Sequence, residues 1–418
     1  MSTIYISIAS YRDPQLLSTL HDCLAKANNP DNLRFGIAWQ HSSDDEWDNL
    51  DEFKNDSRFR IIDINYKESK GACWARNQIQ QQYQGEDYYL QLDSHHRFVD
   101  GWDTECIDML KNLQDEGYKK PLLTAYLPSF NPNNDPEDRV QEAWWMTFDR
   151  FIPEGAVFFL PAVIPNWQEL LKPISSRFLS AHFIFTLGKW CKEVVYDPEY
   201  YFHGEEISLA VRSYTNGYDL FHPHKIIAWH EYTRNNRVKH WDDDSEWHLK
   251  NKHAHKRNKA LFGIDGECRC DMEFEGYDFG TERILQQYEA YAGIRFRDRS
   301  IQNYTYKNSI APNPVITSPL HYDISFLRIF KHCIDLDPSR VPLDDYDFWA
   351  VTFEDIDGVE LFRRDYNKDE IKSLQERADG FIKIWVEFET IAQPNSWIIT
   401  PHSISQDWCD RVMETLPT

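Results

Sequence analysis

A hydrophobic run, Tyr88-Tyr89-Leu90-Gln91-Leu92, delivers an aspartate, one spacer and a histidine: Asp93, Ser94 and His95. Side chains alternate along an extended segment, so Asp93 and His95 are expected on the same side. A carboxylate and an imidazole that converge in this way suit a divalent cation bound to diphosphate oxygens. Such a cation acts as a Lewis acid on a leaving diphosphate. Taken alone, Asp-x-His also describes a capping Asp followed by a surface His. His230 strengthens the first reading, because it too follows an apolar run, Ile226-Ile227-Ala228-Trp229, and is expected as a third ligand. The competing imidazoles are His96, His203, His222 and His224, with His203 foremost because it adjoins Gly204-Glu205.

Three further groups carry usable chemistry. Gly204-Glu205-Glu206 precedes a helical stretch that carries Arg212. Acidic residues in a first turn favour the helix dipole for structural reasons alone; the functional expectation is that Glu205 enters a pocket and accepts hydrogen bonds from sugar hydroxyls. Lys70-Gly71-Ala72-Cys73-Trp74-Ala75-Arg76 opens another helix. Its small residues permit close approach of a ligand, and Arg76 is expected to pair with a phosphate or with a carboxylate of the site. Ser10-Tyr11-Arg12-Asp13 follows the first strand and is expected to surround a bound nucleotide.

The elements that must position these groups alternate. Ile4–Ala9, Leu33–Gln40, Arg58–Asn65 and Asp87–Leu92 read as strands. Helices are expected from Asp13-Pro14 to about Ala27 and from Gly71 to Tyr83. This rhythm predicts an α/β fold with a mainly parallel sheet and helices on both faces, whose ligands lie beyond the carboxyl ends of the strands. Further strands are expected at 121–127, 156–163 and 178–187, and at Lys225–Trp229. Helices are expected from about Gly204, over Glu246–Leu261 and over Thr281–Tyr291. Residues 301–322, polar and containing Pro312, Pro314 and Pro319, read as a linker. Beyond them the segments Ser325–Asp335, Phe348–Glu354, Val359–Arg363, Phe381–Glu389 and Ser396–Ile399 predict a smaller β-rich domain over residues 323–418. Trp349, Trp385 and Trp397 there are expected mainly as core, with a sugar platform as the other use.

Composition bounds the rest. The chain has 418 residues, 15% of them aromatic, and a net charge of −23. That field repels nucleic acid, and an anionic ligand requires a local remedy, either a divalent cation or a few placed Arg and Lys side chains. The eight Cys residues form no CxxC pair, and the lone Cys268-x-Cys270 is too little for a zinc site. A reduced, cytoplasmic protein is expected. Neither a signal peptide nor a membrane span is indicated.

Read in order, the motifs are Ala9-Ser10-Tyr11-Arg12-Asp13, Lys70 to Asn77, Gln91 to Phe98, His203-Gly204-Glu205-Glu206 and Trp229-His230-Glu231-Tyr232. With Tyr277 to Arg283 and Gln286-Gln287-Tyr288, this set resembles the GT-A fold glycosyltransferases that include the cytoplasmic hydroxyproline N-acetylglucosaminyltransferase and its bacterial relatives. The resemblance covers about residues 1–300 and not the β-rich tail. More distantly, the chain is similar to polypeptide N-acetylgalactosaminyltransferases, in which an Asp-Ser-His motif and a later His bind manganese. Asp93, Ser94 and His95 match that motif, and His230 matches the later His by order. Glu205 and Arg212 keep that family's Glu-to-Arg spacing, whereas Ser208 replaces its second Glu.

The resemblance implies a UDP-sugar donor, UDP-GlcNAc first. It implies a divalent cation, Mn2+ or Mg2+, held by Asp93, His95 and His230, and retaining transfer to a hydroxyl of a protein or glycan acceptor. By the same token Ser10, Tyr11, Arg12, Lys70, Gly71, Arg76, Asp93 and Ser94 would hold the donor, and Asp93, His95, Glu205 and Arg212 would serve the reaction. Two other classes compete, a non-catalytic glycan-binding protein and a metal-dependent hydrolase. The chain has 16 His residues but no HExxH motif.

Overall fold

The computed structural model describes residues 2–233, 237–390 and 392–416. The chain divides into two compact units: residues 1–149, 154–297 and 304–315 form the first, and residues 150–153, 298–303 and 316–418 the second.

The first unit contains β1 (Ile4–Tyr11), α1 (Leu16–Lys26), β2 (Leu33–His41), β3 (Phe59–Asn65), α2 (Ala72–Gln80), β4 (Tyr88–Leu92), β5 (His96–Phe98), α3 (Trp102–Asp115) and β6 (Pro121–Thr124). Then follow β7 (Trp144–Phe151), β8 (Val157–Val163), β9 (Ile174–Ser175), β10 (Phe183–Leu187), α4 (Trp190–Glu193), α5 (Glu205–Thr215), β11 (Asp219–His222) and β12 (Ala228–His230). The unit continues through α6 (His240–Asp243), α7 (Trp247–Phe262), α8 (Leu285–Ala292) and β13 (Ile294–Arg295).

Eight strands make one sheet in the order β3-β2-β1-β4-β10-β6-β11-β9. The first four are parallel, with Ile8 opposite both Ile37 and Leu92. β10 runs antiparallel between β4 and β6, so the sheet is mainly rather than wholly parallel. Alternation along β1 covers both faces. Ile4, Ile6 and Ile8 pack with Leu16 and Leu20 of α1 and with Met109 and Leu110 of α3. Tyr5 points the other way, and its hydroxyl donates to the Ile79 carbonyl of α2 at 2.7 Å. The α/β architecture therefore stands as the alternating pattern predicts. The expected strand at 156–163 is present but belongs to a separate ribbon with β7.

The second unit holds β14 (Ser300–Gln302), α9 (Asn303–Tyr306, which runs on into the first unit), α10 (Pro319–Ile324), β15 (Phe326–Leu336), β16 (Tyr346–Glu354), β17 (Glu360–Asn367), α11 (Lys368–Glu376), β18 (Ile382–Thr390), β19 (Ser396–Ser403), β20 (Asp407–Trp408) and β21 (Val412–Thr415). β14, β15 and β18 pair in one sheet and β17, β16, β19 and β20 in another, with β21 also on β19. Trp349, Phe353, Ile384 and Trp397 lie in a core of their own. Trp349 and Trp397 are thus core, whereas Trp385 is 72% exposed.

Two expectations need correction. The stretch 301–322 is not one featureless linker: residues 304–315 group with the first unit, and α9 and the start of α10 fall within the stretch. Its polarity has a structural use, because buried Asn313 accepts from Arg177 Nη2 at 2.6 Å and from Thr305 Oγ1 at 3.0 Å. The cysteines are also not all free, since Cys268 and Cys270 are joined in a disulfide while Cys23, Cys73, Cys106, Cys191, Cys333 and Cys409 are free.

Candidate active site

β1 and β4 are neighbours and parallel, so their carboxyl ends lie side by side. The chain leaving β1 places Asp13 beside the chain leaving β4, which carries Asp93, Ser94 and His95. The antiparallel ribbon of β5 and β12 then sets His230 opposite His96. The His230 N–H donates to the Pro128 carbonyl at 3.0 Å and the Glu231 N–H to the His95 carbonyl at 3.1 Å. This backbone lattice explains how residues 137 positions apart meet.

The ligand atoms of Asp93, His95 and His230 all lie within 4.8 Å of one another. Asp93 divides its two oxygens. Oδ1 accepts from Arg76 Nη2 at 2.5 Å, while Oδ2 faces His230 Nε2 at 3.4 Å and His95 Nε2 at 3.8 Å. Both imidazole contacts are longer than good hydrogen bonds. Burial acts to raise the Asp93 pKa, but the contact from His230 and the Arg76 guanidinium outweigh it and hold the carboxyl well below its usual range. Burial pushes the His230 pKa well below its usual value, so this imidazole is neutral and offers a lone pair. His230 Nδ1 is buried with no hydrogen-bond partner among the described residues.

Asp13 orients the set. It is 3% exposed, and its Oδ2 accepts from Ser94 Oγ at 2.7 Å, His95 Nδ1 at 2.7 Å and Arg237 Nη1 at 3.0 Å. Burial would raise the Asp13 pKa, yet His95 and Arg237 hold it well below the carboxylate range. Asp13 Oδ2 faces His95 Nδ1, which leaves Nε2 turned toward Asp93. Arg237 Nη1 lies against both ring nitrogens of His95, nearer to Nδ1 than to Nε2, which is 2.9 Å away, so Arg237 and a cation would compete for the same imidazole. Behind His230, His182 stacks at 4.3 Å and 13° between planes. Burial pushes its pKa down to about 4, and its Nε2 accepts from the Leu127 N–H at 3.1 Å.

These residues line a cavity of about 690 Å3. Glu205 and Glu206, in the first turn of α5, line it as well. Burial pushes both carboxyls up to about 7, opposed in Glu205 by a hydrogen bond from the Cys73 thiol and in Glu206 by those from the Ala181 N–H and Ser180 Oγ. Asp13, Asp93, Glu205, Glu206 and Glu231 outnumber Arg76, Arg237 and Lys239 along the lining. A diphosphate entering such a site needs added positive charge, and one carboxylate oxygen with two imidazole nitrogens is a donor set that fits a divalent cation.

The sequence matches the family described as Glycosyltransferase (GlcNAc) over residues 3–57 and 48–298. The chain belongs to that family. No curated protein matches the sequence significantly. Among solved structures, GalNAc-T7 with UDP, GalNAc and Mn2+ aligns at 11% identity and a TM-score of 0.47, covering 69% of this chain and 56% of that one. The chain thus spans little more than half the length of that structure. S. aureus TarS 1-349 in complex with UDP-GlcNAc aligns at 14% identity and a TM-score of 0.35, covering 62% of this chain and 71% of that one.

In this glycosyltransferase the residues singled out from the sequence divide into two sets. Tyr11, Arg76, Asp93, Ser94, His95, Glu205 and His230 line the cavity; Ser10, Arg12, Lys70, Gly71 and Arg212 do not. Arg212 is buried inside the helix packing, where Nη2 donates to the Val195 carbonyl at 2.7 Å and Nε to the Asp278 carbonyl at 3.4 Å. Arg12 is held by Asp45 at 2.6 Å and Asp243 at 3.0 Å, across from Tyr66. Lys70 is exposed near the Trp74 ring. Gly71 caps α2 at φ +104°, where a Cβ would press on the Tyr201 ring at 3.2 Å. Ser10 is buried and its carbonyl accepts from Gln40 Nε2 at 3.0 Å. Of the competing histidines, His203 lines the cavity outside the ligand group, His96 sits under it with Nδ1 3.1 Å from the Asp93 carbonyl, and His222 is bonded to the Thr124 carbonyl at 2.8 Å. His224 does not line the cavity either. Asp13 was visible from sequence as a helix opener and as part of the segment expected around the nucleotide, not as a partner of His95. His182 and Arg237 had no signal, the first lying in a strand-like run and the second in a polar stretch without period. No helix among the described residues is long and apolar enough to cross a membrane.

Proposed function

We propose that this glycosyltransferase transfers GlcNAc from UDP-GlcNAc, with retention and with the help of a divalent cation, to a hydroxyl of a protein or glycan acceptor. The observation that carries the reading is the group of Asp93, His95 and His230 lining one cavity together with Arg76 and Arg237. Bound there, Mn2+ or Mg2+ would supply a Lewis acid for the diphosphate.

The chain's own residues do the rest. Asp13 orients the His95 ring through Nδ1. Arg76 fixes the Asp93 carboxylate through Oδ1 and leaves Oδ2 facing the imidazoles. Arg237, released from His95 Nε2, turns its donors to the diphosphate oxygens as charge grows there. Glu205 accepts hydrogen bonds from sugar hydroxyls, and Tyr11 closes the cavity wall on the nucleotide side. With retention, the acceptor hydroxyl attacks from the face that UDP leaves and gives its proton to the departing phosphate, so no side chain needs to act as nucleophile.

The test is UDP release from a panel of UDP-sugars, with Mn2+ and with EDTA. Slow release from UDP-GlcNAc that EDTA abolishes, and that falls by about 100-fold or more in Asp93→Ala with the fold intact, is the expected result. Full turnover in EDTA, or in Asp93→Ala, would overturn the cation's role. Release from a different UDP-sugar alone would correct the donor. Hydrolysis of substrates that lack UDP would favour a hydrolase.

A further inference from the structure

The second unit carries a cleft of about 660 Å3, formed between α11 and the first half of β18. β18 alternates strictly. Ile382, Ile384, Val386 and Phe388 enter the core, while Lys383, Trp385, Glu387 and Glu389 face outward. Trp385 is 72% exposed and Phe381 50% exposed, and both line the cleft. At 72% exposure Trp385 buries little of its surface, unlike Trp349 and Trp397, which lie in the core. Its flat apolar face is open to a ligand that also has a flat apolar face.

Charge narrows the ligand. The chain carries −23 overall, yet the cleft is balanced: Arg364, Arg377 and Lys383 stand against Asp369, Glu370 and Asp379. Neither an anion nor a cation is favoured by such a set. A neutral polyhydroxylated molecule is, because each hydroxyl both donates and accepts and so uses guanidinium and carboxylate together. Part of the set is already fixed in place. Arg364 Nη2 donates to Glu370 Oε1 at 3.1 Å, with its guanidinium 4.4 Å from the centre of the Tyr366 ring. Arg377 donates from Nε to the Ser373 carbonyl at 2.9 Å and from Nη2 to Ser373 Oγ at 2.8 Å.

We infer that the β-rich unit bears a binding site for a neutral glycan, with Trp385 as the stacking platform and Phe381 as its flank. The site is separate from the donor cavity and stands whether or not the chain uses UDP-GlcNAc.

The test uses the whole chain and calorimetric titration with chitotetraose, cellotetraose and maltotetraose, with a heparin-derived tetrasaccharide for comparison. Saturable binding of at least one neutral tetrasaccharide is expected, weakened about tenfold or more in Trp385→Ala. Because Trp385 is exposed, this variant should keep the wild-type melting temperature and the wild-type rate of UDP release, which separates the cleft from the donor cavity. The inference is overturned if no neutral tetrasaccharide binds, if binding is the same in Trp385→Ala, or if only the charged oligosaccharide binds.

Discussion

Asp13 determines which nitrogen of His95 faces Asp93. Its carboxylate is buried, and Ser94 Oγ, His95 Nδ1 and Arg237 Nη1 converge on one oxygen, so removing its charge disturbs the orientation of a candidate ligand without touching the ligand itself. Asp13→Asn should therefore weaken Mn2+ binding by about 10- to 100-fold, the range expected when an orienting partner of a ligating histidine is lost. The readout is titration of free Mn2+ by electron spin resonance, without substrate. Unchanged affinity would mean that Asp13 serves packing alone. The residue was legible only in part. Asp93, His95 and His230 each follow an apolar strand, a one-dimensional signal that survives folding. The bond from Asp13 to His95 spans 82 positions and depends on β1 lying next to β4, which no local pattern carries.

At the scale of the element, α5 shows how a correct spacing can mislead. Glu205 and Arg212 are two turns apart on nearly the same helix face, as the resemblance implied, but two turns carry the chain about 10 Å along the axis. The first turn borders the cavity, and the last lies among the carbonyls of Val195 and Asp278. The same first turn gives a pH-dependent prediction. Burial pushes the Glu206 carboxyl from its usual value up to about 7. Between roughly pH 4.5 and 7 the folded form keeps a proton that the unfolded form has released, so this group's contribution is fully present below that window and is lost as pH rises through 7. Glu206→Gln has no such loss and keeps an oxygen for the Ala181 N–H. Its melting temperature relative to the wild type should therefore rise between pH 5 and pH 8. A difference that stays constant across that range would show that Glu206 titrates as an ordinary carboxyl. The alternating strands and helices were legible because each carries its own hydrophobic period. The reversed direction of β10 was not, since period two is the same for a strand running either way.

For the molecule as a whole, the two units have separate hydrophobic cores, and every described residue lining the donor cavity belongs to the first. A change deep in the second core should therefore lower stability there and leave donor chemistry intact. Trp349 is fully buried in that core, edge-on to the Tyr346 ring at 5.5 Å. Truncation to alanine should cost about 3–5 kcal/mol through lost burial and the cavity left behind. In scanning calorimetry of the whole chain, Trp349→Ala should move a lower-temperature portion of the unfolding endotherm downward and leave the remainder in place. Below the upper transition, UDP release from the donor should persist at the wild-type rate. If the whole endotherm shifts together and UDP release is lost with it, the two cores unfold as one cooperative body, and the β-rich unit is then part of what holds the donor cavity in shape. The sequence separates the two units by their grammar, alternating strand and helix before residue 300 and strand after strand beyond 323. That change in pattern predicts separate cores but says nothing of cooperativity, because cooperativity depends on contacts that no periodicity records.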